Sequence, residues 1–193
     1  MIQKTILKKV HSFIALPLLV SQLQFGMLAQ LQDSSVLANL NLGSTGESQT
    51  IDNHSLDILI HAKKIDNYFE NHDLPLTGYG LAFAVAADEY GLDPYLLPAI
   101  AMRETTGGLN LCKNPKGQNN AFGWGSCKIG FDSHEEAIER VALNLAGENP
   151  KTAFAYKGKT LKEKLESYNP PSAKPGYANQ VMSIMEDIKS ENA

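Results

Sequence analysis

The chain is poor in residues on which several function classes depend. It has only two cysteines, Cys112 and Cys127, in 193 residues, so the repeated Cys-x-x-Cys spacing of a zinc ribbon or knuckle is excluded. Its five histidines, His11, His54, His61, His72 and His134, make no H-E-x-x-H pair or other ligand spacing, and neither a metal nor a cofactor is expected. Positive charge is scarce as well. Seventeen Lys and Arg face 21 Asp and Glu, for a net charge of −4, and the basic residues are not massed on one segment, which argues against a nucleic-acid binder. No apolar run reaches the roughly 20 residues that a membrane-spanning helix requires. What remains is a hydrophobic share of 43% beside a charged share of 20%, the balance of a folded globular chain, at a length that fits one domain with appendages.

The N-terminus is the first informative stretch. "MIQKTILKKVHSFIALPLLV" opens with Lys4, Lys8 and Lys9, then becomes apolar over residues 13–20. That order is the n-region and h-region of a signal peptide, with small residues suited to cleavage at Ala29 and Ala38. Residues 1–38 are therefore read as a signal peptide or N-terminal membrane anchor, against the plainer alternative of an amphipathic first helix. The protein is expected to be secreted or associated with the cell envelope. Residues 39–55 are polar and lack an apolar period, and read as a linker ahead of a domain over 56–190. Export bears on the cysteines: in an oxidising compartment two thiols about fifteen residues apart are expected to pair. The rival is a cysteine nucleophile served by His134, which would need a free thiol.

Helical patterns follow one another from residue 56. The first covers about 56–71, with Leu59, Ile60, Ile65, Tyr68 and Phe69 on its buried side. An alanine-rich second, about 80–90, stops at Gly91. The third starts from Asp93 as N-cap with Pro94 at the first helical position, bends at Pro98, and closes at Gly107 or Gly108. Between residues 107 and 131 the period vanishes among Gly, Asn and Lys, which reads as a small hairpin-bearing lobe stapled by Cys112 and Cys127. Capping boxes at Ser133–Glu136 and Thr160–Glu163 then open two more helices. The first of these carries the stripe Ala137, Ile138, Val141, Ala142 and Leu145. A last helix, about 177–189, uses Val181, Ile184, Met185 and Ile188. The predicted fold is mainly α.

Within this plan Glu104 occupies an unusual place. Leu97, Ile100, Ala101 and Glu104 fall at i, i+3, i+4 and i+7, so the carboxylate continues the apolar stripe that faces the core. Burial there and the negative end of the helix dipole both favour the proton-carrying form, from which a general acid delivers. A solvated residue at a fraying helix end is the plainer reading. Against it stands the glycine-rich turn into a lobe with "NNAFGWG". A groove between helices and lobe would set Asn119, Asn120 and Trp124 opposite the acid, amides for hydrogen bonding and an aromatic face for stacking.

The segments "YGLDPYLLPAIAMRETTGG", "NNAFGWG", "FDSHEEAIERVALNL" and "SYNPPSAKPGYANQVMSIM", in that order, resemble the landmarks of bacterial glucosaminidase domains. These are glycoside hydrolase family 73, in the lysozyme-like superfamily, and the resemblance covers roughly residues 65–188. It implies an α+β lysozyme-like fold, mainly helical, with a small β-hairpin or loop lobe beside the cleft. It also implies an endo-β-N-acetylglucosaminidase that cleaves the glycan strands of peptidoglycan; separately, the chain is expected to be a monomer. Glu104 matches the family's catalytic acid. Asn120, Phe122 and Gly123 match the segment that shapes the lobe, Tyr168 a tyrosine close to the acid, and Tyr177 the one that opens the last helix. The cysteine pair is not general to the family.

A second catalytic group is not evident. Paired carboxylates in a glycosidase stand about 5–9.5 Å apart, and residues 107–130 hold no Asp or Glu. Asp132 or Glu135 would have to reach the cleft, or the substrate's own N-acetyl group would act as nucleophile. Otherwise Glu104 works alone, as in a lytic transglycosylase. A non-catalytic peptidoglycan-binding or envelope-assembly module of the same fold is the alternative from another class.

Overall fold

The computed structural model describes residues 52–113 and 115–193. The expected signal or anchor over 1–38, and all of the linker up to residue 51, lie outside the described residues. Helix α1 (Asn53–Asn71) starts inside the expected linker. The reason is local: the Asp52 carboxylate accepts the Ser55 N–H at 2.6 Å and caps the helix. Its buried residues are Ala62, Ile65, Tyr68 and Phe69, while Leu59, expected inside, is exposed.

Helix α2 (Gly80–Glu89) lies against α1 at close range. A Cβ at Gly80 would stand 2.2 Å from the Ala62 carbonyl oxygen, so only glycine fits this contact. Asp66 of α1 accepts the N–H groups of Gly78 and Gly80, both at 2.8 Å, and pins the turn that starts α2. Helix α3 (Leu96–Thr105) is the core helix, with Leu97, Ala99, Ile100 and Ala101 fully buried. It begins two residues later than its Asp-Pro signal predicts, because Asp93 Oδ1 accepts from Tyr95 N–H and forms a turn ahead of the helix. The later start also removes the expected cost at Pro98. The proline falls in the first turn, where its missing N–H had no helical partner to lose.

The end of α3 differs from expectation in the residue that takes the left-handed turn. Thr106 sits at φ 54° and ψ 57°, and Gly107 (φ 59°) and Gly108 (φ 89°) follow it. A β-branched residue in that region is strained, and the neighbouring threonine holds it there. The buried Thr105 hydroxyl donates to the Ala121 carbonyl at 2.7 Å and accepts from Gly108 N–H, tying the helix end to the lobe.

The lobe is not a β-hairpin. Among the described residues no strand forms, and residues 107–131 contain two short 3-10 turns, Pro115–Gly117 and Trp124–Cys127. Asn119, Gly123, Gly125, Ser126 and Cys127 all have positive φ, which breaks any extended run that could pair as a ladder. The Cys112–Cys127 disulfide staples the lobe, with Cα atoms 5.7 Å apart. Both thiols are consumed by this bond, which overturns the reading of a cysteine nucleophile. Gly117 lies so close that a Cβ would stand 2.5 Å from Cys112 Cβ. Replacing both cysteines by serine is expected to cost about 3 kcal/mol, by loop-closure entropy. A denaturant titration that gives the same midpoint as the parent would refute this.

After the lobe come α4 (His134–Ala146), the short α5 (Ala153–Tyr156), α6 (Leu161–Tyr168) and α7 (Tyr177–Lys189). Every residue of the α4 stripe is buried as its spacing predicts. Ser133 caps α4 by accepting from Glu136 N–H, but the returning Glu136 carboxylate takes Asp132 N–H, one residue before the cap. The α6 capping box is complete in both directions. Helix α7 packs along α3 and brings Tyr177 beside Glu104.

Candidate active site

Glu104 lies in the last turn of α3, half-buried, where a cleft of about 560 Å³ opens between that helix, the lobe and α5–α6. Tyr177, the first residue of α7, is buried and donates its hydroxyl to Glu104 Oε1 at 2.6 Å. Burial and this carboxylate push the Tyr177 phenol far above its ordinary value, so it remains a donor throughout the physiological range. On the other side, the Gly123 backbone runs against the carboxylate. A Cβ there would sit 3.2 Å from Oε2, at a φ of 60° that already favours glycine. One carboxylate oxygen is thus held by a phenol, and the other faces the lobe.

The cleft wall is aromatic. Trp124, Tyr156 and Tyr168 all line it, with Trp124 and Tyr168 ring centroids 5.5 Å apart and Trp124 and Tyr156 6.4 Å apart. Tyr168 in turn lies parallel to Tyr177, with an interplanar angle of 6° and a centroid separation of 6.1 Å. Its hydroxyl donates to the Phe122 carbonyl and so ties α6 to the lobe. The tyrosine whose hydroxyl reaches the acid is therefore Tyr177, and Tyr168 presents its ring. The Arg103 guanidinium also stands over the Tyr177 ring, 5.8 Å from its centre, and its Nε donates to Gln180.

The structure brings Glu104, Gly123, Trp124, Tyr168 and Tyr177 together, and uses the remaining candidates differently. Asn120 is fully buried. Its Nδ2 donates to the Trp124 and Ile129 carbonyls, and its Oδ1 accepts from the N–H groups of Phe122 and Trp124. Asn119 donates to the Phe131 and Asp132 carbonyls. Both amides hold the lobe in shape. Phe122 fills the core against Phe83. Asp132 is exposed at the foot of α4, and Glu135 lines a different cavity, between α2 and α4. Among the described residues lining the cleft, Glu104 is the sole carboxylate.

Gly125, Ser126, Tyr156 and Asn169 also line the cleft, and sequence reasoning missed them. Gly125 and Ser126 continue the "NNAFGWG" segment, which was the available signal. Tyr156 had none, because α5 spans a single turn with no period to read.

Burial pushes the Tyr156 phenol up to about 12, and Tyr168 and Tyr177 are also raised by burial. In the unfolded chain these phenols ionise near pH 10. Their folded pKa values lie above that, so the protonated fold is favoured below about pH 10. This contribution is lost as pH climbs from there toward the folded values. The thermal midpoint is expected to fall steeply between about pH 10 and 12. A midpoint flat across that range would contradict the burial of the three rings.

No protein-family model matches this chain, and no curated protein matches it either.

Proposed function

We propose that residues 56–190 form a glycoside-cleaving domain that acts on the β-1,4 bonds of peptidoglycan glycan strands, with Glu104 as the general acid. The reading follows the expected endo-β-N-acetylglucosaminidase activity, outside the cytoplasm, where a disulfide such as Cys112–Cys127 persists. One observation carries it: a carboxyl held between a tyrosine hydroxyl and a glycine backbone, at the edge of an aromatic-walled cleft. Flat aromatic faces suit the apolar faces of sugar rings, and a fixed carboxyl beside them can meet a glycosidic oxygen.

In the proposed reaction Glu104 gives its proton to the leaving oxygen as the C1–O bond breaks. With no other carboxylate lining the cleft among the described residues, the substrate's N-acetyl carbonyl oxygen bonds to C1 in its place. Water then attacks C1, opens that ring and returns its proton to Glu104, leaving a reducing N-acetylglucosamine end. The same observation favours a second reading, a lytic transglycosylase. There the sugar's own hydroxyl attacks C1, its proton goes to Glu104, and an anhydro end results. Release of soluble muropeptides from purified cell walls tests the proposal. Wall binding with no products would favour the non-catalytic module.

A further inference from the structure

Two smaller cavities adjoin the cleft, and each shares a wall residue with it. Trp124 lines both the cleft and a cavity of about 340 Å³ that runs over Phe131 toward Arg140 and Lys151. Asn169 is common to the cleft and a second cavity, of about 140 Å³, edged by Lys162 and Lys174. The charge pattern across the three is uneven. The cleft presents one carboxylate, Glu104, while each adjoining cavity is lined by two cations and one carboxylate, Glu136 or Glu166. In a chain whose net charge is −4, an excess of cations in both cavities beside the cleft calls for a reason.

Within each pair one cation is already engaged. Arg140 pairs with Glu136 at 3.3 Å and Lys162 with Glu166 at 3.9 Å, each four residues along its own helix. Lys151 and Lys174 take part in no ion pair among the described residues. The local backbone is built to hold them. Lys151 follows Asn149, whose Oδ1 accepts the Lys151 N–H and whose Nδ2 donates to the buried Asn144. Lys174 sits in a turn closed onto the Pro170 carbonyl, just before Tyr177.

We infer that Lys151 and Lys174 are binding residues for carboxylates of a substrate that reaches from the cleft into the adjoining cavities, so that the site prefers a glycan bearing acidic substituents to a neutral one. The inference rests on the glycan-cleaving reading and deepens it. In peptidoglycan the peptide stems supply such carboxylates, spaced along the strand on alternate sugars, whereas a chitin-like chain has none.

The test uses the full chain carrying Glu104→Gln, so that binding is read without turnover, and the fluorescence of Trp124, the one tryptophan of the chain. Two glycans of matched length serve as probes, a cell-wall strand with its peptide stems and a chitin oligosaccharide, which carries no carboxylate. The inference predicts tighter binding of the stem-bearing strand, by about tenfold, the scale of two partly exposed charge contacts. It also predicts that the preference shrinks toward unity in Lys151→Glu/Lys174→Glu and in high salt. Equal binding of both strands, or a preference that survives the double substitution, would overturn it. Cleavage of both strands by the parent protein at equal rates would count against the cationic cavities and leave the glycosidase reading standing. Failure of the parent to release any product, with the stem preference intact, would instead overturn cleavage and leave the binding inference.

Discussion

Replacing Glu104 by glutamine is expected to lower product release from cell walls by about 10³-fold with little change in stability. The amide keeps the size of the carboxyl, and its oxygen can still accept the Tyr177 hydroxyl that now holds Oε1 at 2.6 Å. What it lacks is an acidic proton for the leaving oxygen, and general acid catalysis contributes roughly 10²–10⁴-fold. The thermal midpoint serves as the control, because Glu104 is half-buried and makes no ion pair among the described residues. Glutamine at 104 with near-parent activity would remove the basis of the mechanism. Wall binding should persist in this variant, since Trp124, Tyr156 and Tyr168 are untouched.

The second large effect is on the lobe. Asn120→Ala is expected to destabilise the protein by about 4 kcal/mol, from four hydrogen bonds at roughly 1 kcal/mol each. The side chain is fully buried and serves two carbonyls and two N–H groups at once. Alanine leaves these backbone groups without partners in a place water does not reach. That is a large share of the 5–15 kcal/mol by which domains are usually stable. Asn120→Asp should not rescue it, because a carboxylate oxygen would then face the Trp124 and Ile129 carbonyls. Denaturant unfolding followed by Trp124 fluorescence measures both variants, and a loss under about 1 kcal/mol in Asn120→Ala would contradict the assigned role.

The longer helices were legible because they announce themselves within a few residues; the single-turn α5 was not. Ser133 and Thr160 accept from the N–H three residues on, as their sequence context predicts, whereas Asp52 does so inside the stretch that reads as a linker. Glu104 was legible for the same reason. Leu97, Ile100 and Ala101 are fully buried, and the carboxylate one turn further on lies half-buried on their face. The lobe was not legible. Glycine and asparagine at short intervals signal turns, and nothing local distinguishes the turns of a hairpin from a loop whose residues adopt positive φ.

That same loop explains the roles of the two asparagines. A segment without a ladder has carbonyls and N–H groups to satisfy, and Asn119 and Asn120 satisfy them from their side chains. An amide beside an aromatic reads equally well as a sugar contact. The pairing of Glu104 with Tyr177 spans 73 residues, beyond the reach of any spacing argument. It needed the packing of α7 along α3.

The most direct measurement of the central claim is mass spectrometry of the fragments released from a defined peptidoglycan by the full chain, beside its Glu104→Gln variant. The account predicts soluble fragments with reducing N-acetylglucosamine ends from the parent and nearly none from the variant. Intact strands after incubation with the parent, or identical fragments from both proteins, would contradict it.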